Sequence, residues 1–232
     1  MITVRKSGDR GYADHGWLQS YHTFAFAEYQ DPKHRGFRKL RVVNEDHVAP
    51  RSGFPMHSHR DMEIISYVVS GQLKHEDSNG NSGIIEPGQF QRMTAGAGVA
   101  HSEYNPSTDE PVHLLQIWIF PEAKGLTPSY EELREAHRLR PNTLALAATG
   151  NGRNGAMTIQ QDVDLYGACL ETGASVSHAL RDGRHAWIQL ISGEIDVNGI
   201  KLSAGDGAAI SEEPTLAIEC RASAELLLFD LN

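Results

Sequence analysis

The stretch HSHRDMEIISYVVSGQ at residues 57–72 combines two features of a strand-built site. His57 and His59 stand two apart, and side chains at i and i+2 of a strand leave the same face. EIISYVV at 63–69 is rich in β-branched residues, the composition of a buried strand, and it stops at Gly71. A second strand is expected at 72–76. Asn79-Gly80 then suits a tight hairpin turn, because both turn positions need positive φ. Pro87-Gly88 fits a type II turn, and HLLQIWIF at 113–120 reads as a further strand. Short strands joined by such turns predict an all-β protein of sandwich or barrel type.

Composition agrees with a globular chain. Its 232 residues are 40% hydrophobic and 22% charged, with no biased tract, enough to bury a substantial core. The formal net charge is −9, which repels phosphate backbones. The basic runs at 33–41 and 137–140 are short and mixed, so direct nucleic-acid binding is not expected. Two cysteines, Cys169 and Cys220, exclude a disulfide scaffold. The N-terminus has no apolar core of a signal peptide, and no apolar stretch approaches the roughly 18 residues of a membrane span. A cytoplasmic, monomeric protein is the expectation.

One segment departs from the β texture. SYEELREAHR at 129–138 carries helix formers behind Thr127-Pro128 and predicts a short helix. Pro141 and a Gly/Asn-rich stretch at 149–155 follow, so the domain junction is placed near 135, giving domains 1–134 and 135–232. The second half echoes the first. Ser70-Gly71, Asn79-Gly80 and Pro87-Gly88 are matched by Ser192-Gly193, Asn198-Gly199 and Ala204-Gly205, which points to an internal duplication.

A second i, i+2 pair, His101 and Glu103, follows Gly96 and Gly98. If its strand neighbours that of His57 and His59, three imidazoles and one carboxylate converge. Such a nitrogen-rich set suits Fe(II), Mn, Co, Ni, Cu or Zn rather than Mg or Ca. One divalent transition metal is therefore expected on His57, His59, His101 and Glu103. Counting from the repeated glycines, the equivalent positions of the second half are Ala179, Arg181, Ile218 and Cys220. A slip of one residue would bring in His178, but no HxH pair exists there, so the second half is expected to be metal-free. Trp17 and His22 are candidate pocket residues. Gln116 and Trp118 alternate with Leu115 and Ile117, so one pair should face the interior. His75 and His113 read as structural.

Gly53, His57, His59, Glu63 and Gly71 resemble the first motif of the cupin superfamily, and Pro87, Gly88, Gly98, His101 and Asn105 the second. The similarity is closer to the pirin family of bicupins. It is carried by HGWLQSYHTFAFAEY at 15–29, GFRKLRVVNED at 36–46, HSHRDMEIISYV at 57–68, MTAGAGVAHSEYNPS at 93–107 and LLQIWIFP at 114–121. It is dense to about residue 135 and thin beyond. The resemblance implies two tandem cupin barrels (double-stranded β-helix, jelly-roll) with the metal in the first only. It also implies, for some members, dioxygenase activity on the flavonol quercetin with O2. Fe(II) is the expected ion. General cupins take a carboxylate ligand at the position of Glu63, whereas pirins resemble one another in using that of Glu103. Glu103 is assigned to the metal, Glu63 is left as a carboxylate that orients a ligating imidazole or as an alternate ligand, and the catalytic base is Glu103 or Glu63. A non-catalytic regulatory protein that binds a protein partner through its metal, or a redox or metal sensor, is the alternative.

Overall fold

The computed structural model describes residues 1–134 and 140–232. In chain order its strands are β1 (Ile2–Arg5), β2 (Gly11–Asp14), β3 (Leu18–His22), β4 (Leu40–Val48), β5 (Gly53–His59), β6 (Glu63–Ser70) and β7 (Leu73–Asp77). They continue with β8 (Ser82–Ile85), β9 (Phe90–Thr94), β10 (Val99–Tyr104), β11 (Val112–Ile119), β12 (Ser129–Leu133), β13 (Ala145–Thr149) and β14 (Met157–Thr158). The last six are β15 (Val163–Leu170), β16 (Ser175–Ala179), β17 (His185–Val197), β18 (Ile200–Ser203), β19 (Gly207–Ser211) and β20 (Thr215–Leu231). The helices among the described residues are two short 3-10 turns, Ser7–Asp9 and Arg153–Gly155. None is long and apolar enough to cross a membrane.

Two compact units emerge. One comprises Gly11–Arg134 and Met157–Gln161. The other comprises Met1–Arg10, the described part of 135–156, and Asp162–Asn232. Two short segments thus lie on the other side of a simple division at 134/135. Met1–Arg10 belongs with the C-terminal unit because β1 pairs antiparallel with β19, Ile2 opposite Ile210. Met157–Gln161 belongs with the N-terminal unit, where the Gln161 amide donates to the Phe120 carbonyl at 2.8 Å.

Strands β2 to β12 of the N-terminal unit divide between two antiparallel sheets instead of closing into one ring. These are β12-β9-β6-β11-β4-β3-β2 and β5-β10-β7-β8. Alternation gives each an apolar inner face. Leu18, Val48, Val68, Val112 and Leu114 of the first sheet meet Leu73 and Ile85 of the second in one buried cluster. In the C-terminal unit, β17 and β20 pair along most of their length and bend together, with register shifts from Leu190 to Ile195. Gly193 sits at that bend with φ +80, and a Cβ there would lie 2.2 Å from the Ser223 carbonyl oxygen, so only glycine fits. The bend folds the sheet around a core that includes Ile188, Leu190, Leu216, Ile218, Cys220 and Leu226.

The helix expected from SYEELREAHR is corrected in its first half. Ser129–Leu133 is a strand, β12, paired antiparallel to β9; residues 135–138 of the expected helix lie outside the described residues. Helix propensity loses here to a specific partner. The Arg92 guanidinium on β9, 1% exposed, donates to Ser129 Oγ at 2.6 Å and to the Glu131 carboxylate. Leaving that charge without partners in the core would cost far more than the few tenths of a kcal/mol per residue, roughly, at stake in propensity.

Candidate metal centre

The two histidine-bearing segments are adjacent strands. β5 pairs antiparallel with β10, and His57 stands directly opposite His101. Gly53 permits this approach: a Cβ there would lie 2.2 Å from the Glu103 carbonyl oxygen. Along β10 the register with β7 is unbroken through His101, Ser102 and Glu103, so alternation carries His101 and Glu103 to the same face, and the extra residue of the shifted register with β5 falls between Phe54 and His57.

The three rings converge. Centroids lie 4.5 Å apart for His57 and His101, 4.7 Å for His57 and His59, and 5.0 Å for His59 and His101, with the rings steeply tilted to one another. Their ligand atoms all fall within 4.8 Å of one another. His57 Nδ1 lies 2.7 Å from the Pro55 carbonyl oxygen, which fixes Nδ1 as the donor and leaves Nε2 as the free lone pair. Burial, with His101 and His57 alongside, lowers His59 to about 4. Burial, then His57 and His75, lowers His101 to about 3. At neutral pH these two imidazoles are uncharged and able to coordinate.

Glu103 is 2% exposed on β10 and is held by a cage of neutral donors. Its Oε1 accepts from Ser66 Oγ at 2.8 Å and Gln91 Nε2 at 2.6 Å, and its Oε2 from Gln116 Nε2 at 2.7 Å. The buried His101 has no hydrogen-bond partner at either ring nitrogen. A deeply buried carboxylate with neutral donors, beside an imidazole with unpaired nitrogens, is the signature of a cation position. His57, His59 and His101 thus fit a divalent transition metal, and His101 links them to a second group with metal-ligand spacing, formed with Glu103 and His75.

His75, read from sequence as structural, lies opposite Glu103 on β7. It is fully buried, its ring is 5.3 Å from that of His101, and its other face stacks on Tyr130 at 4.6 Å. Glu63 is not brought to the cluster. Alternation along β6 places it on the face opposite Ser66, the Glu103 donor. Its Oε2 instead accepts from Thr94 Oγ1 at 3.0 Å and from the Gln160 amide at 3.3 Å. Burial pushes its carboxyl up to about 7. A further group, Glu45, His47 and His113, also brings ligand atoms close. There, however, the imidazoles stack at 4.1 Å with only 18° between planes, so their in-plane lone pairs run side by side instead of converging. His113 Nε2 is paired with Glu45 at 2.9 Å.

Beside His57, His59 and Glu103 opens a cavity of about 500 Å³. Its apolar walls include Trp17, Phe26, Phe54 and Trp118. Gln116 and Trp118 are therefore the inward pair of β11, and Trp17 and His22 do line the pocket. Sequence reading missed Ser20, Asn44 and Asp46, which also line it. Burial pushes Asp46 up to about 7, against the lowering effect of the hydrogen bond donated by the Ser20 hydroxyl, and the charge of Glu103 adds to the rise.

Comparison with known proteins agrees with this geometry. The pirin family model matches residues 3–119, and a model described as the quercetinase C-terminal cupin domain matches 146–231. A quercetin 2,3-dioxygenase of Escherichia coli (strain K12) is 45% identical over 231 residues, covering 100% of this chain and 99% of that one. A pirin-like protein of Caulobacter vibrioides is 40% identical, covering 99% of each. The crystal structure of the Escherichia coli bacterial pirin YhhW in complex with nickel(II) superposes with a TM-score of 0.95 at 44% identity, covering 100% of this chain and 99% of that one. Full-length likeness in sequence and fold, with two cupin domains, makes this chain a member of the pirin family.

Proposed function

We propose that this pirin is a metal-dependent dioxygenase that cleaves a flavonol such as quercetin with O2. The observation that carries the reading is the placement of His57, His59 and Glu103 in the wall of a cavity lined by four large aromatic side chains. A planar polyphenol stacks well on such walls. A cavity near 500 Å³ falls within the range of about 300–1,000 Å³ typical of small-molecule sites. The expected ion is Fe(II), with Mn, Co, Ni, Cu and Zn compatible with the same donors. When bound, it supplies Lewis acidity toward the substrate's hydroxyl and ketone oxygens and a redox route to O2.

The chain's own residues do the rest. His57 is oriented by Pro55, and Glu103 by Ser66, Gln91 and Gln116. Trp118, its ring 5.0 Å from that of His59 and 5.4 Å from that of Phe26, holds the aromatic wall against the ligand set. Glu103, in the cavity wall beside His57 and His59, is assigned to take the substrate's hydroxyl proton. Glu63, directed to Thr94 and Gln160, is assigned no step.

The test is turnover. Protein reconstituted with Fe(II), Mn(II), Co(II) or Ni(II) should consume quercetin in air but not under nitrogen, and the product should carry both atoms of labelled O2. Consumption no faster than that by free metal in buffer would reject the enzyme reading and favour a regulatory pirin acting on a protein partner.

A further inference from the structure

One inward-facing row crosses five strands of the seven-stranded sheet. Gln91 on β9 stands opposite Ser66 on β6, Ser66 opposite Gln116 on β11, Gln116 opposite Asn44 on β4, and Asn44 opposite His22 on β3. The first three residues are saturated by Glu103 and by one another. The last two are not. Asn44 is 3% exposed and His22 5%, yet Asn44 Oδ1 and His22 Nδ1 have no hydrogen-bond partner. Both residues line the cavity. The next rung of the same two strands is Ser20 opposite Asp46, also in the cavity wall and 3% exposed each.

A buried polar atom left without a partner costs free energy, and one that belongs to a cavity-lining side chain is a candidate for satisfaction by what the cavity binds. Strands in a sheet are about 4.8 Å apart, so His22 lies roughly 10 Å from Gln116, the residue that holds Glu103. A ligand chelated beside Glu103 must be about that long to reach the end of the row. It must also carry a hydroxyl there, able to hydrogen-bond the Asn44 amide and the His22 ring.

We propose that His22 and Asn44, flanked by Asp46, form a specificity subsite that hydrogen-bonds a ring hydroxyl of the polyphenol distant from its chelating oxygens. The subsite rests on the flavonol reading above and adds what that reading leaves open: which hydroxylation pattern is preferred. His22 and Asn44 are positioning residues, acting on the substrate's far end and not on its reacting atoms.

The experiment is an anaerobic binding titration of Ni(II)-loaded protein with four flavonols that share the same 3-hydroxy-4-keto chelate: 3-hydroxyflavone, galangin, kaempferol and quercetin. The wild type should prefer at least one of the hydroxylated ligands over its less hydroxylated neighbour by about three- to tenfold, the worth of one hydrogen bond. In His22→Phe, Asn44→Leu and the double variant, that ratio should collapse toward one. Unliganded melting temperatures of the variants should equal or exceed that of the wild type, because an unsatisfied polar atom has been removed. Equal affinity for all four ligands in the wild type, or a preference that survives in the double variant, overturns the subsite and leaves the flavonol reading standing. Variants that melt several degrees lower while keeping the preference show instead that the row is structural. Binding of none of the four overturns both.

Discussion

The two cupin units place the same ladder at different uses. In the N-terminal unit, β5 pairs with β10, His57 opposite His101 and His59 opposite Val99. In the C-terminal unit, β16 pairs with the first part of β20, Val176 opposite Ile218 and His178 opposite Leu216. Aligned by register, His57 becomes Val176, His59 becomes His178, His101 becomes Ile218 and Glu103 becomes Cys220. Three of four ligand positions have turned apolar or to a thiol. Ile218, Leu216 and Cys220 are in the core. The surviving histidine is engaged elsewhere: His178 Nε2 is 2.8 Å from Asp230, whose other oxygen accepts from Arg184 at 2.6 Å. Among the described residues, the groups with metal-ligand spacing all lie in the N-terminal unit. The same backbone therefore supports either a polar cluster whose donors suit a cation or an apolar core.

The largest effect should come from the ligands themselves. His101→Ala and His57→Ala should fold and carry far less than one metal per chain by elemental analysis, where the wild type should carry one. Glu103→Ala should lose more metal than Glu63→Ala at equal protein concentration. Stoichiometric metal in His101→Ala breaks the comparison at its base, and a second equivalent bound by ligands within 136–232 breaks it from the other side.

The converse substitution probes the second unit. Ile218→Ala deletes buried methyl groups from a fully packed core and should cost about 2–5 kcal/mol of stability by denaturant titration. Metal content should stay at one per chain. Loss of metal would mean that the apolar ladder serves the metal centre after all.

How much of this was legible without coordinates follows from periodicity. Two i, i+2 pairs on strands are visible in sequence because alternation has a period of two, so His57, His59, His101 and Glu103 could be named. Facing partners are not visible, because register is a long-range property. His75 stood as a lone histidine until β7 aligned it with Glu103. Asn44 carried no signal, and His22 only that of a pocket residue, until a single row joined them to Gln116. The offset count from glycines reached Ile218 and Cys220 but slipped on β16. There Ala179 is exposed and not inward, and His178 is the inward residue. The helix at 129–138 was misread because its composition is local, whereas the buried Arg92 that claims Ser129 and Glu131 comes from 37 residues away or more.

Glu63 sharpens the contrast between the two faces of β6. Its folded pKa, about 7, exceeds the usual 4.5, so the native state holds a proton that the unfolded chain has released. Native stability should therefore fall as pH rises from about 4.5 to 7 and stay low above. Glu63→Gln mimics the protonated form. It should stabilise the protein by up to about 3 kcal/mol at pH 8, with the gain vanishing toward pH 4.5. Chemical denaturation of both forms across that range checks it. A gain that grows toward acid would reverse the sign and place an ionised Glu63 in a stabilising pair.

The smallest expected effect falls on Gln116, where the metal centre and the rest of the row meet. Gln116→Leu keeps volume and an apolar neighbour for Trp118 but removes the donor to Glu103 Oε2. Ser66 and Gln91 still hold Oε1, so the carboxylate stays buried near its place while losing one of three restraints on its angle. Loss of such a supporting hydrogen bond typically weakens metal binding by about 10–100-fold. Competition with a chelator of known affinity should show that drop in Gln116→Leu. Ala217→Leu, at a solvent-facing position of β20, should show none. An unchanged affinity in Gln116→Leu has two readings, separated by Glu103→Gln. If that variant also binds normally, Glu103 is no ligand and the site is a three-histidine one. If it binds poorly, Glu103 is a ligand whose orientation Ser66 and Gln91 set alone, and the row's central residue serves the cavity and not the metal.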